Sequence, residues 1–82
     1  MINYRDYIGG KVHLIGIGGS SMSGIAFLLQ EKGCMVSGSD KFDGKSVAAL
    51  RTAGVDVTIN HCADNVKDKD LVIYSMAWEI GR

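Results

Sequence analysis

Val12-His13-Leu14-Ile15-Gly16-Ile17-Gly18-Gly19-Ser20-Ser21-Met22-Ser23-Gly24 runs from an apolar segment through a cluster of glycines into the start of a helical pattern. Val12 to Ile17 is short, nearly continuous in apolar residues and bounded by glycines, which is the pattern of a strand buried on both faces of a parallel sheet. From Ser20 to Lys32, Met22, Ile25, Ala26 and Leu29 recur at helical spacing, and Gly33 follows where a left-handed C-terminal cap is wanted. Strand, tight turn and helix in that order open a parallel α/β unit.

The pattern repeats outward from this stretch. Cys34 to Ser39 reads as a second strand ending at Asp40, and Ser46 to Ala53 as a second helix with Val47 and Leu50 on one face and Gly54 past its end. Val55-Asp56-Val57-Thr58-Ile59 alternates apolar and polar strictly, so one face alone is buried, as at a sheet edge. Leu71-Val72-Ile73-Tyr74 is unbroken and belongs inside the sheet. Right-handed crossovers then give a Rossmann-like, three-layer parallel α/β sheet in the strand order 3-2-1-4. A crevice opens at the carboxyl ends of strands 1 and 4, where the connections leave toward opposite faces.

Bulk composition narrows the function classes. The 82 residues are expected to form a single domain over residues 1–82 with a thin stability margin. At 46% hydrophobic, 22% charged and zero formal net charge, the chain is neither a disordered tail nor a polybasic nucleic-acid binder. No apolar run approaches the roughly 20 residues needed to span a bilayer, and the N-terminus lacks the regions of a signal peptide. Cys34 and Cys62 are too few for a disulfide framework and have no zinc-binding spacing, so a soluble protein in a reducing, cytoplasmic setting is expected, with no metal site.

The glycine cluster sits at the crevice. Gly16 permits the tight turn, Gly18 lacks the side chain that would block a pyrophosphate, and Gly19 and Ser20 offer backbone N–H groups at the positive end of a helix. A diphosphate is the expected guest, although Ser21 stands where the Gly-x-Gly-x-x-Gly fingerprint wants glycine or alanine. A turn that binds nothing is the competing reading, and Ser20, Ser21 and Ser23 also suit helix capping. Asp40, roughly 20 residues on, can accept hydrogen bonds from a ribose diol, or can be a solvated turn residue or cap.

Gly44-Lys45-Ser46 resembles the end of a P-loop but is misspaced, because Ser39 stands where the motif needs its first glycine, and Asp40 and Asp43 place negative charge beside any triphosphate. His61 follows the third strand at the same edge and can face a base, whereas His13, inside the first strand, reads as a satisfied buried imidazole. Cys62 lacks an oriented base and an oxyanion site, and Cys34 reads as core. Ser75, Met76 and Ala77 end the fourth strand beside the glycine loop and are candidates to line the crevice.

His13 to Ala26, with its Gly16-Ile17-Gly18-Gly19 core, followed by Val36-Ser37-Gly38-Ser39-Asp40, by Asn60-His61-Cys62-Ala63-Asp64-Asn65 and by Leu71 to Ala77, resembles the N-terminal domain of the Mur ligase family. Gly18-Gly19 followed by Met22-Ser23-Gly24 is most similar to its alanine-adding branch; Ser21, Asn60 and Met76-Ala77-Trp78 depart from that pattern.

The resemblance implies a domain that holds the UDP part of UDP-N-acetylmuramate for peptidoglycan synthesis. Gly16, Gly18, Gly19, Ser20, Ser21 and Met22 would hold the diphosphate, and Ser39, Asp40 and His61 the uridine and ribose. It also implies that ATP and magnesium serve other domains of the full-length ligase and that no cofactor belongs to this stretch. The chain is then expected to be an incomplete piece of its domain, with residues 78–82 a candidate for disorder and weak self-association at the uncovered rim. An NAD(P)-binding Rossmann module of an oxidoreductase or redox-sensing regulator, and a structural piece with an empty loop, are the other readings the residues allow.

Because its P-loop-like segment is misspaced and acidic, the purified chain is expected to release no phosphate from ATP. Magnesium-dependent release that co-purifies with the protein would contradict this.

Overall fold

The computed structural model describes residues 4–60, 63–74 and 77–80. Its elements are β1 (Lys11–Ile15), α1 (Ser20–Glu31), β2 (Met35–Asp40), α2 (Lys45–Thr52), β3 (Asp56–Ile59), β4 (Leu71–Tyr74) and β5 (Ala77–Ile80), with 3-10 turns at Tyr4–Tyr7 and Ala63–Val66. The sheet order is β3-β2-β1-β4-β5. The first four strands are parallel neighbours, with Leu14 opposite Gly38 across β1 and β2 and opposite Ile73 across β1 and β4. The parallel 3-2-1-4 arrangement expected from the sequence is therefore present, with alternating β3 at one edge and apolar β4 inside.

β5 is a correction to the sequence reading. Ala77 does not extend β4 but pairs with Tyr74 at the start of an antiparallel strand, and Trp78 to Ile80, candidates for disorder, continue that pairing. Without a neighbour, β4 would present a row of unpaired backbone groups at the sheet edge, and residues 77–80 satisfy them.

Both helices pack on one face of the sheet. Val12, Leu14, Val57, Leu71 and Ile73 point from the strands into a core completed by Met22, Ala26 and Leu29 of α1 and by Val47 and Leu50 of α2. Gly33 at φ +99° and Gly54 at φ +95° follow the two helices in the left-handed conformation expected of C-terminal caps. β1 is buried on both faces, as expected, and opposite the helices its buried residue is His13, beside the buried Val72 of β4. There the His13 ring shares a 2.9 Å Nδ1 to Oγ hydrogen bond with Ser37. The connection after β3 brings Asn65 and Lys69 to a 210 Å³ cleft with His13, Ser37 and Thr58.

Ile17 fixes how the first turn meets the second strand. β1 ends at Ile15, two residues before the sequence pattern suggests, and Ile17 is fully buried in the turn. Its side chain lies over Gly38 so closely that a Cβ there would sit 2.7 Å from Ile17 Cβ and 2.9 Å from Cγ2. A central strand disfavours glycine, so Gly38 marks this close approach.

Gly38→Ala is expected to cost about 1–3 kcal/mol through overpacking, and Ile17→Ala about 2–5 kcal/mol through the cavity it leaves. In urea unfolding the double variant should lose clearly less than the two single losses added together. Simple additivity would show that the two residues do not compete for the same space.

Candidate functional site

The glycine turn is strapped to the end of β2. Gly16, at φ +80°, turns the chain, and the N–H groups of Gly16 and Ile17 donate to the Ser39 carbonyl at 2.8 and 3.1 Å. Gly19 donates to the Gly16 carbonyl at 3.1 Å, so its N–H is engaged within the turn and is not the open donor read from the sequence. Gly19 is also the N-cap of α1 and makes no side-chain cap bond. The capping reading of the serines is thus corrected: Ser20 is the first helical residue, and the Ser23 hydroxyl donates to the Ser20 carbonyl at 3.2 Å.

The first helical bond runs from Ser23 N–H to Gly19 O at 2.8 Å, so the N–H groups of Ser20, Ser21 and Met22 precede it and have no acceptor within the helix. Ser20 and Ser21 are exposed, whereas the Met22 side chain is buried in the core and can contribute only its backbone. Three successive amides at the positive end of a 12-residue helix form the anion-seeking element of the site.

Asp40 is built into the turn. Its Oδ2 accepts the Gly18 N–H at 2.8 Å and its Oδ1 accepts the Phe42 N–H at 3.1 Å. A Cβ at Gly18 would lie 2.8 Å from that Oδ2 and 3.2 Å from Val47 Cγ2. Gly18 is therefore required by Asp40 and Val47, where the sequence reading gave the space to a pyrophosphate. The backbone of β2's end is held as well, since Asn60 N–H donates to the Asp40 carbonyl at 2.7 Å. Asn60 takes φ +74°, a conformation that asparagine tolerates better than most residues and glycine better still.

Gly16, Gly18, Gly19 and Asp40 form one wall of a 380 Å³ cleft, and Phe42, Gly44, Lys45, Ser46 and Val47 form the other. The sequence reading missed this second wall because it tested Gly44-Lys45-Ser46 as a P-loop and set it aside. Its position was legible, since any residue just after β2 lies at the same sheet edge as the glycine turn. The acidic objection also weakens: Asp43 faces Arg51 at 3.3 Å, and Arg51 donates in turn to the Val57 carbonyl at 2.9 Å.

The other expected site residues are dispersed. Ser39 has 1% of its surface exposed, and the contribution seen for it is the carbonyl that receives the turn. His61, Ser75 and Met76 lie outside the described residues, as does Cys62. Cys34 is buried in the core, and burial pushes its thiol above the ordinary range, the opposite of an activated nucleophile.

Parallel strands with a glycine turn, a helix terminus and a strand-end carboxylate meeting at their carboxyl edge define a Rossmann-like α/β unit with a cleft at that edge. Residues 11–80 match the model of the Mur ligase family, catalytic domain. The chain belongs to the Mur ligase family. It is 48% identical over 67 residues to the UDP-N-acetylmuramate--L-alanine ligase of Sulfurihydrogenibium sp. and 51% identical over 67 residues to that of Clostridium botulinum Eklund 17B. Each match covers 82% of this chain and 15% of the relative. The solved UDP-N-acetylmuramate-alanine ligase of Thermotoga maritima superimposes with a TM-score of 0.77 at 40% identity, covering 83% of this chain and 16% of that one. The chain thus spans about 15% of the length of these relatives.

Asp40→Ala removes the acceptor of the Gly18 amide in a partly buried setting, and is expected to destabilise the chain by about 1–3 kcal/mol. Amide exchange at Gly18 should accelerate in the variant. Unchanged stability with unchanged exchange would show that the strap does not hold the turn.

Proposed function

We propose that this chain is the UDP-N-acetylmuramate-binding part of an ATP-dependent UDP-N-acetylmuramate:L-alanine ligase, working on a soluble peptidoglycan precursor in the cytoplasm. The observation that carries this reading is the row of N–H groups at Ser20, Ser21 and Met22, which follows directly in the chain on Gly19, a lining residue of the cleft that also holds the Asp40 carboxylate. The names of the relatives support the choice of ligand. Among the described residues no helix is long and apolar enough to cross a membrane.

In this reading the three amides take the diphosphate, while Gly16, Gly18 and Gly19 keep the turn low enough for it to approach. Asp40 accepts the ribose hydroxyls in addition to holding Gly18 and Phe42. The uridine is taken toward the ends of β2 and β3, with Ser39 and His61 proposed as its contacts and Ser75, Met76 and Ala77 proposed as crevice-lining residues. ATP and magnesium act in other domains of the full-length enzyme, where the muramate carboxylate is activated, so this stretch alone binds and does not ligate.

A helix terminus contributes about 1–2 kcal/mol toward an anion, too little for firm binding. Selectivity therefore comes from the nucleoside end, because NADH offers a diphosphate to the same amides. Calorimetric titration of the chain with UDP-N-acetylmuramate and, separately, NADH is expected to show tighter binding of the UDP-sugar. Tighter binding of NADH would overturn the reading in favour of an oxidoreductase-type module.

A further inference from the structure

Among the described residues Phe42 is the most exposed large hydrophobic, at 76%, against 58% for Met35 and 55% for Ile8. A single exposed apolar residue needs no explanation by itself. Phe42 differs by its place: among the described residues it is the one aromatic side chain lining the cleft that the glycine turn also lines. Its backbone is also fixed, since the carboxylate that receives the Gly18 N–H receives the Phe42 N–H through its other oxygen. One side chain thus sets the spacing between the phosphate-facing turn and an exposed aromatic ring.

Resting on the proposed UDP-sugar reading, we propose that Phe42 is the nucleobase platform of this site, its ring stacking on the uracil of the bound nucleotide. A ribose held at Asp40 brings its base into the cleft that Asp40 and Phe42 both line. Every base has a π face, and an aromatic ring kept in water at a cleft mouth gains by covering it. The other apolar residue of that wall, Val47, is 1% exposed and belongs to the core, so Phe42 is the apolar surface a base can reach there. Asp40 acts in this scheme as a positioning residue for the platform as well as for the turn.

The test compares wild type, Phe42→Ala and Phe42→Trp in titrations with UDP and with inorganic pyrophosphate. Phe42 is exposed, so neither variant should alter unfolding in urea. Phe42→Ala is expected to weaken UDP roughly tenfold, within the range for loss of one base–aromatic stack, and to leave pyrophosphate unchanged. Phe42→Trp should restore UDP binding, with indole fluorescence that responds to UDP and not to pyrophosphate. Wild-type affinity for UDP in Phe42→Ala would overturn the platform while leaving the UDP-sugar reading intact. Equal weakening of UDP and pyrophosphate would also overturn it, because a base platform cannot affect a ligand without a base. Failure of the wild-type chain to bind UDP at all would overturn the UDP-sugar reading and the platform with it.

Discussion

The carboxyl edge of this sheet depends on the strap between the first turn and the second strand. Two backbone N–H groups donate to the Ser39 carbonyl, the Ile17 side chain closes over Gly38, and the Gly18 amide is held by Asp40. Each contact joins residues more than 20 positions apart, so none can form before β1 and β2 are side by side. Once they are, the direction of α1 is set, and with it the direction in which its first amides point. The glycines serve this close approach first, and the cleft is its consequence.

The strap has an electrostatic cost that the site must offset. A carboxylate lies beside a helix terminus that favours anions, and it would repel a diphosphate at short range. The two backbone bonds disperse its charge, and the α1 terminus acts from the same wall. Among the described residues lining the cleft, Lys45 is the one cation. It is the first residue of α2.

The repeating architecture was legible because each element carries its own period: Met22, Ala26 and Leu29 mark one helix, Val47 and Leu50 the other, and Val57 the alternation of an edge strand. β5 was not, since Ala77-Trp78-Glu79-Ile80 is too short to establish a period and its pairing with β4 is a tertiary choice. Gly16, Gly18, Gly19 and Asp40 were legible as one site because topology brings the ends of β1 and β2 together. The hydrogen bonds were not: no spacing rule says that Asp40 would take the Gly18 amide or that Gly19 would turn back on Gly16. Phe42 went unassigned because it matches no motif, and Lys45 because the P-loop it was weighed against is misspaced, although their position after β2 was enough to place them.

The central claim is that the diphosphate of a UDP-sugar lies on the first turn of α1. It is tested most directly by measuring amide-to-phosphorus proximity by NMR in the chain saturated with UDP-N-acetylmuramate. The account predicts phosphorus contacts at the amides of Ser20, Ser21 and Met22 and none at Gly18, whose N–H stays hydrogen-bonded to Asp40. Phosphorus contacts confined to the start of α2, or to the cleft at His13, would contradict it.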